Sequence, residues 1–219
     1  MGGLSARLLG WSLFVLVLAL LAYGAQLNGD ENDPNVAYRW SSSINGLVFY
    51  LLVLGIAMLI TRGLDRRSFL GLRAPSSWSR AFGISLGILF AVLVASAVVG
   101  ALGGMPEEEQ GLIPEEWNSH RVAQFAAYAG VVAILAPIVE EVMFRGVGYG
   151  LLEPFGRTRA VVIVGIAFAL IHGLLTGFPV IATFGIGITY LRNRTRSLYP
   201  CIGLHAFFNG VGLALGVLT

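Results

Sequence analysis

Lysine is absent from this chain, cysteine occurs once, and charged residues make up only 12% of its 219 positions. Each shortage excludes something. Cys201 has no second cysteine to join, so there is no intrachain disulfide and no thiolate zinc cluster. Ordinary soluble domains carry about 25% charged residues, twice this share, so the chain lacks the polar surface of a water-soluble fold. No basic face with interleaved aromatics occurs, and nothing in the sequence points to nucleic acid.

What is present instead is apolar surface. Hydrophobic residues account for 56% of the chain, and mean hydropathy is +0.79. A helix crosses the hydrocarbon core with about 20 mostly apolar residues. The stretches 8–25, 44–61, 81–103, 121–143, 158–175, 176–191 and 197–218 have that character, which predicts an all-α, polytopic transmembrane helix bundle of about seven spans, or eight. The connections between them are short, so residues 1–219 are expected to form one membrane domain. The first run ends at "LLAYGAQ", a small-residue boundary like that of a signal peptide. The charge pattern requires it as a retained span.

All basic residues are arginines, and they are unevenly placed. Arg62, Arg66, Arg67, Arg73 and Arg80 share one connection, Arg157 and Arg159 another, and Arg192, Arg194 and Arg196 a third. Acids fill the others: Asp30, Glu31 and Asp33 in one, "MPEEEQGLIPEEW" in the next. With a cytoplasmic N-terminus, seven spans put every arginine-rich loop inside and both acidic loops outside, in an integral membrane protein whose membrane would be the cell membrane if the source is a prokaryote. The net charge of +2 then concerns orientation and contact with anionic lipid. The basic loop "RGLDRRSFLGLRAPSSWSR", residues 62–80, reads as an interfacial connector anchored by arginine and Trp78, with an amphipathic surface helix as the sharper alternative.

The spans differ in content. The first three have no Asp, Glu, Arg or His in their apolar middles, whereas the last four hold Glu140, Glu141, Arg145, His172, His205 and Asn209. An ionisable group at mid-membrane costs at least roughly 2.5–3.5 kcal/mol on insertion scales, so it should face the bundle and serve a function. Chemistry is therefore expected in the motif-bearing core, residues 121–219.

In "PIVEEVMFRG" Glu141 and Arg145 are four apart and share a helix face, while Glu140 points about 100° away, toward Pro137 and Phe144. Arg145 can neutralise Glu141 and leave Glu140 to a cavity, which Pro137 helps to open by removing a backbone hydrogen bond. In "FALIHG" Phe168 and His172 are again four apart, so the phenyl ring can fix the imidazole. In "HAFFN" His205 and Asn209 present an imidazole and a carboxamide together, a donor pair better suited to an oxyanion than to a metal. His120, in the polar "WNSHR", reads as an interfacial residue.

In order and spacing, "EEVMFR", "FALIH" and "HAFFN" resemble the EExxxR, FxxxH and HxxxN motifs of the CAAX prenyl endopeptidase and bacteriocin-processing family of intramembrane proteases. The resemblance covers residues 140–209. It implies a cavity open to cytoplasm and lipid. There Glu140 and His172 activate a water that attacks a peptide carbonyl, His205 and Asn209 stabilise the oxyanion, and Glu141, Arg145 and Phe168 give structural support. It also implies a membrane-associated substrate, prenylated in the eukaryotic members, and no cofactor.

Three other readings compete. Zinc held by Glu140, His172 and His205, with Glu141 as base, would use the same residues. A proton-coupled transporter would also bury Glu, His and Arg, although the two halves show no matching interrupted helices. A noncatalytic membrane partner, such as an immunity protein, would retain the fold. Other protease chemistries fit poorly: HExxH is absent, Asp30, Asp33 and Asp65 all lie in loops, and Ser85 is a weak candidate nucleophile.

Overall fold

The computed structural model describes residues 2–28, 35–104 and 117–218. The acidic residues Asp30, Glu31 and Asp33, and residues 105–116 with Pro106, Gly111 and Pro114, lie outside them. Among the described residues the chain is helical, with no strand. We number the helices α1 (Gly2–Leu27), α2 (Trp40–Ile60), the short α3 (Arg66–Phe69), α4 (Trp78–Ala101), the composite α5 (Val122–Phe155), α6 (Arg157–Leu170), α7 (Phe178–Thr195) and α8 (Tyr199–Leu218).

Five of these, α1, α2, α4, α5 and α8, are long and apolar enough to cross a membrane. The expected seven spans are thus met by five helices of that kind. α6 has 14 residues and a length of about 21 Å, ending at Leu170 rather than at the expected residue 175. α7 has 18 residues but closes on Arg192, Asn193 and Arg194, which lower its hydropathy. Each of these two helices buries one face in the bundle, with Val164, Gly165, Ala167, Phe168, Phe184, Gly185 and Ile188 all buried, while Val162, Ile163 and Tyr190 are exposed. The outer helices expose large apolar side chains, among them Leu20, Leu52 and Phe90. In water that surface would be a liability; against lipid it is the solvated face.

α6 and α7 cross where glycine meets glycine. A Cβ on Gly165 would fall 2.6 Å from the backbone of Ile186, and one on Gly185 would fall 2.5 Å from the carbonyl oxygen of Gly165. Small residues permit this approach, and it brings Phe168 of α6 against α7. On the far side of α7, Gly187 receives Ile88 of α4.

Within α5 the backbone leaves α-helical geometry twice, at the π segments Val131–Leu135 and Val142–Gly148 that flank Ala136–Glu141. Such wide turns collect at functional sites. Here they surround both glutamates. The N–H of Ala136 bonds back five residues to the carbonyl of Val131. In that register residue 137 would serve Val132, but Pro137 has no N–H to give.

The 62–80 connection is a folded wedge rather than a surface strap. Leu70 is buried and fills the place of the missing Cβ on Gly146 in the second π segment. Gly71, at φ +73°, accepts a hydrogen bond from the N–H of Leu198 at 2.9 Å. Trp78, by contrast, is exposed. Hydrogen bonds from Arg7 to the carbonyls of Ile60 and Arg62, from Arg73 to Arg196, and from Arg196 and Arg157 to Glu153 gather the N-terminus and the three arginine-rich connections at one end of the bundle.

Candidate active site

Glu141 and Arg145 are both fully buried and form an ion pair at 2.8 Å across one helical turn. The guanidinium has further partners. Its Nε donates to Thr189 Oγ1 at 3.2 Å and its Nη2 to the Gly185 carbonyl at 3.1 Å, while its Cζ lies over the Phe168 ring, 4.2 Å from the centroid. A buried charge with four such contacts is matched on every side. Glu141 Oε1 has a second neighbour, His205 Nδ1, at 2.9 Å.

Glu140 is placed differently. Its side chain keeps 14% of its exposure. Oε1 accepts a hydrogen bond from the Tyr50 hydroxyl at 2.8 Å, and Oε2 stands 3.8 Å from His205 Nε2. It lines a cavity of about 370 Å³ together with Tyr50, Tyr128, His172, His205 and Asn209. The structure therefore separates the adjacent glutamates, one locked to arginine and one facing open volume.

His172 lies beyond the last turn of α6, where Gly173 at φ +68° reverses the chain. It still reaches back four residues. Its Nδ1 lies 2.7 Å from the Phe168 carbonyl, and its ring centroid is 4.6 Å from that of Phe168. A carbonyl only accepts, so Nδ1 carries the proton, and the neutral ring keeps its lone pair at Nε2. The same reasoning applies to His205. Its Nδ1 donates to the Glu141 carboxylate, and Nε2 holds a lone pair in the neutral ring or an N–H in the imidazolium. Phe168 and Phe184 box the His205 ring edge to face at 5.6 and 5.3 Å.

Asn209 Nδ2 donates to the carbonyl of Val132 at 2.9 Å. That is the oxygen which the π turn and Pro137 leave without a backbone donor. One Nδ2 proton remains, on a side chain that lines the cavity.

Glu140, His172, His205 and Asn209 thus share one cavity wall, and Glu141, Arg145 and Phe168 stand behind it. Two other residues of the sequence reading lie elsewhere. His120 is exposed, with its backbone N–H on Asn118 Oδ1, and the Ser85 hydroxyl donates to the Ala81 carbonyl of its own helix. Sequence reasoning missed Tyr50, because it confined the chemistry to the C-terminal half. The available signal was a lone hydroxyl within the apolar "GLVFYLLVLG" of α2. Among the described residues no three His, Cys, Asp or Glu side chains converge as a metal-binding group.

Residues 122–211 match the family model described as Type II CAAX prenyl endopeptidase Rce1-like. No curated protein and no solved structure matches the chain. The matched segment runs from the first turn of α5 into α8 and contains all three motifs, while Tyr50 lies outside it. Residues 122–211, somewhat less than half of the chain, are thus similar to the Type II CAAX prenyl endopeptidase Rce1-like family.

Proposed function

We propose that this protein is a metal-independent intramembrane endopeptidase with Glu140 as general base. The observation that carries the reading is the separation of the two glutamates. Arg145 neutralises Glu141, and Glu140 is held between Tyr50 and His205 at the edge of a cavity. A carboxylate placed so can take a proton from water.

The water oxygen attacks the peptide carbonyl carbon as Glu140 Oε2 receives its proton, and the Nε2 lone pair of His172 helps to orient that water. The carbonyl oxygen becomes an oxyanion, facing the free Nδ2 proton of Asn209 and the Nε2 proton of His205. Because Nδ1 of His205 already serves Glu141, the ring can donate there only as the imidazolium. Collapse of the intermediate breaks the C–N bond, and Glu140 returns its proton to the departing amine. No covalent acyl-enzyme forms.

The family name suggests a substrate with a prenylated cysteine near its C-terminus. The apolar side of the cavity, formed by Val132, Ala136, Ile181, Phe208 and Leu213, suits a lipid-bearing or apolar peptide. The arginine-rich end, which includes Arg7, is the cytoplasmic face, so the N-terminus is inside. Single cysteines at 66 and 107 on a Cys201→Ser background test this orientation. Membrane-impermeant labelling on opposite sides is expected, and labelling on one side refutes it.

A zinc mechanism is the second reading, because both histidines place Nδ1–H on an oxygen acceptor and can leave Nε2 free, the arrangement typical of metal-bound imidazole. Glu140, His172 and His205, which do not converge as a metal-binding group among the described residues, would have to draw together to hold the ion, which would supply an activated water. Elemental analysis of active protein separates the two. The metal-free reading expects zinc well below one per chain and activity that survives chelation. Equimolar zinc, with activity lost on removal and restored on return, would establish the metalloenzyme.

A further inference from the structure

Arg145 is not the only buried arginine. Arg192, in the last turn of α7, is 4% exposed. Whereas Arg145 is surrounded by acceptors, Arg192 forms no ion pair with any carboxylate among the described residues, and its Nε is buried without a hydrogen-bond partner. Its guanidinium is nonetheless held in place. One face lies against Gly71, where a Cβ would fall 3.0 Å from Nε, and the Tyr149 ring centroid is 5.5 Å from Cζ.

Its neighbourhood is cationic. Arg73 donates to the Arg196 carbonyl at 2.9 Å, and Arg196 pairs with Glu153 at 2.9 Å. Glu153 is also claimed by Arg157 at 3.3 Å. Glu153 thus already serves Arg157 and Arg196, and neither Arg73 nor Arg192 forms an ion pair with a carboxylate among the described residues. A cation taken out of water is costly unless an anion or a full set of acceptors meets it. The same fold supplies such a set to Arg145.

We infer that Arg192, with Arg73 and Arg196 beside it, forms a binding site for a phosphate-class anion at the arginine-rich end of the bundle. A planar guanidinium fixed by packing matches phosphate with two parallel N–H donors. The anion would come from a phospholipid headgroup or from free phosphate. Position favours a lipid, since this end gathers the basic connections that meet a membrane surface. The site also joins elements behind the cavity. Gly71 accepts from Leu198 at the start of α8, which carries His205 and Asn209, and Leu70 packs on Gly146 one residue from Arg145. Occupancy would tie the 66–73 wedge to α7 and α8.

Binding is read without any peptide substrate, so the inference stands or falls apart from the peptidase reading. Full-length protein in neutral detergent is titrated with short-chain phosphatidylglycerol, short-chain phosphatidylcholine and inorganic phosphate. Native mass spectrometry counts retained molecules, and thermal unfolding reports stabilisation. One saturable phosphatidylglycerol per chain is expected, with phosphatidylcholine at least tenfold weaker. Stabilisation by phosphate equal to that by phosphatidylglycerol would support the site and assign it to the free anion. Arg192→Gln should weaken binding at least tenfold. Arg73→Gln alters an exposed side chain and keeps the test valid should Arg192→Gln fail to fold; it should weaken binding severalfold. Equal retention of the two lipids with no effect of phosphate, or binding unchanged in Arg73→Gln and in a folded Arg192→Gln, would overturn the proposal.

Discussion

The side chain of Asn209 in α8 donates to the carbonyl of Val132 in α5 at 2.9 Å, taking the place of a backbone donor that Pro137 cannot supply. Asn209 therefore has a structural task beside any catalytic one. Asn209→Ala should cost about 1–3 kcal/mol by stranding that oxygen, and it should lower turnover by about 10²–10³-fold if the remaining proton serves the oxyanion. Pro137→Ala restores an N–H at the right place. In that background the stability cost of Asn209→Ala should shrink by about 1 kcal/mol or more, a coupling measurable in a double-mutant cycle by thermal unfolding. Additive costs would break the link between the two residues.

Tyr50 is the contribution of the N-terminal half to the site. Tyr50→Phe removes only the hydroxyl that donates to Glu140 Oε1, and hydrogen bonds to charged groups contribute about 1.5–3 kcal/mol. The variant should remain folded, with kcat reduced roughly tenfold or more and KM nearly unchanged. An unchanged kcat would remove Tyr50 from the account.

Glu141→Gln acts through the fold. It leaves Arg145, which has no exposure, facing a neutral amide, and breaking a buried pair typically costs about 3–5 kcal/mol. The melting temperature in detergent should fall steeply, and His205 should lose its Nδ1 acceptor charge with it. A variant as stable as the parent would show that Thr189, Gly185 and Phe168 suffice to hold the arginine.

The glycine crossing of α6 and α7 gives a purely steric expectation. Gly165→Ala places a methyl 2.6 Å from the Ile186 backbone, which cannot yield as a side-chain tip can. A loss of about 1–3 kcal/mol is expected from overpacking, measured by thermal unfolding. Gly87→Ala on α4, where a Cβ meets nothing within 4 Å, is the matched control and should be neutral.

The sequence revealed what helical spacing encodes. Glu141 and Arg145 are four apart, and their ion pair follows from that interval; Phe168 and His172 meet for the same reason, even though α6 ends between them. The turning of Glu140 away from its neighbour was equally legible. Contacts between distant segments were not. Nothing in a period of 3.6 residues tells that Tyr50 reaches Glu140 across 90 positions, or that His205 lies against Glu141 across 64. The two π segments were also hidden. Pro137 signals a disturbed helix, but the register shift that orphans Val132 depends on a donor arriving from α8. The count of about seven spans is not confirmed: five helices among the described residues are long and apolar enough to cross a membrane, while α6 is shorter and α7 is more charged at its end.

The central claim is that Glu140 takes the proton from the attacking water. Its most direct test is hydrolysis of a prenylated C-terminal peptide by purified protein in liposomes, comparing wild type with Glu140→Gln under matched thermal unfolding. Glu140→Gln keeps the shape of the side chain and an acceptor for Tyr50 but removes the base, so the account predicts cleavage by wild type and none by the variant at equal melting temperature. Cleavage by a folded Glu140→Gln at a rate near that of wild type would contradict it.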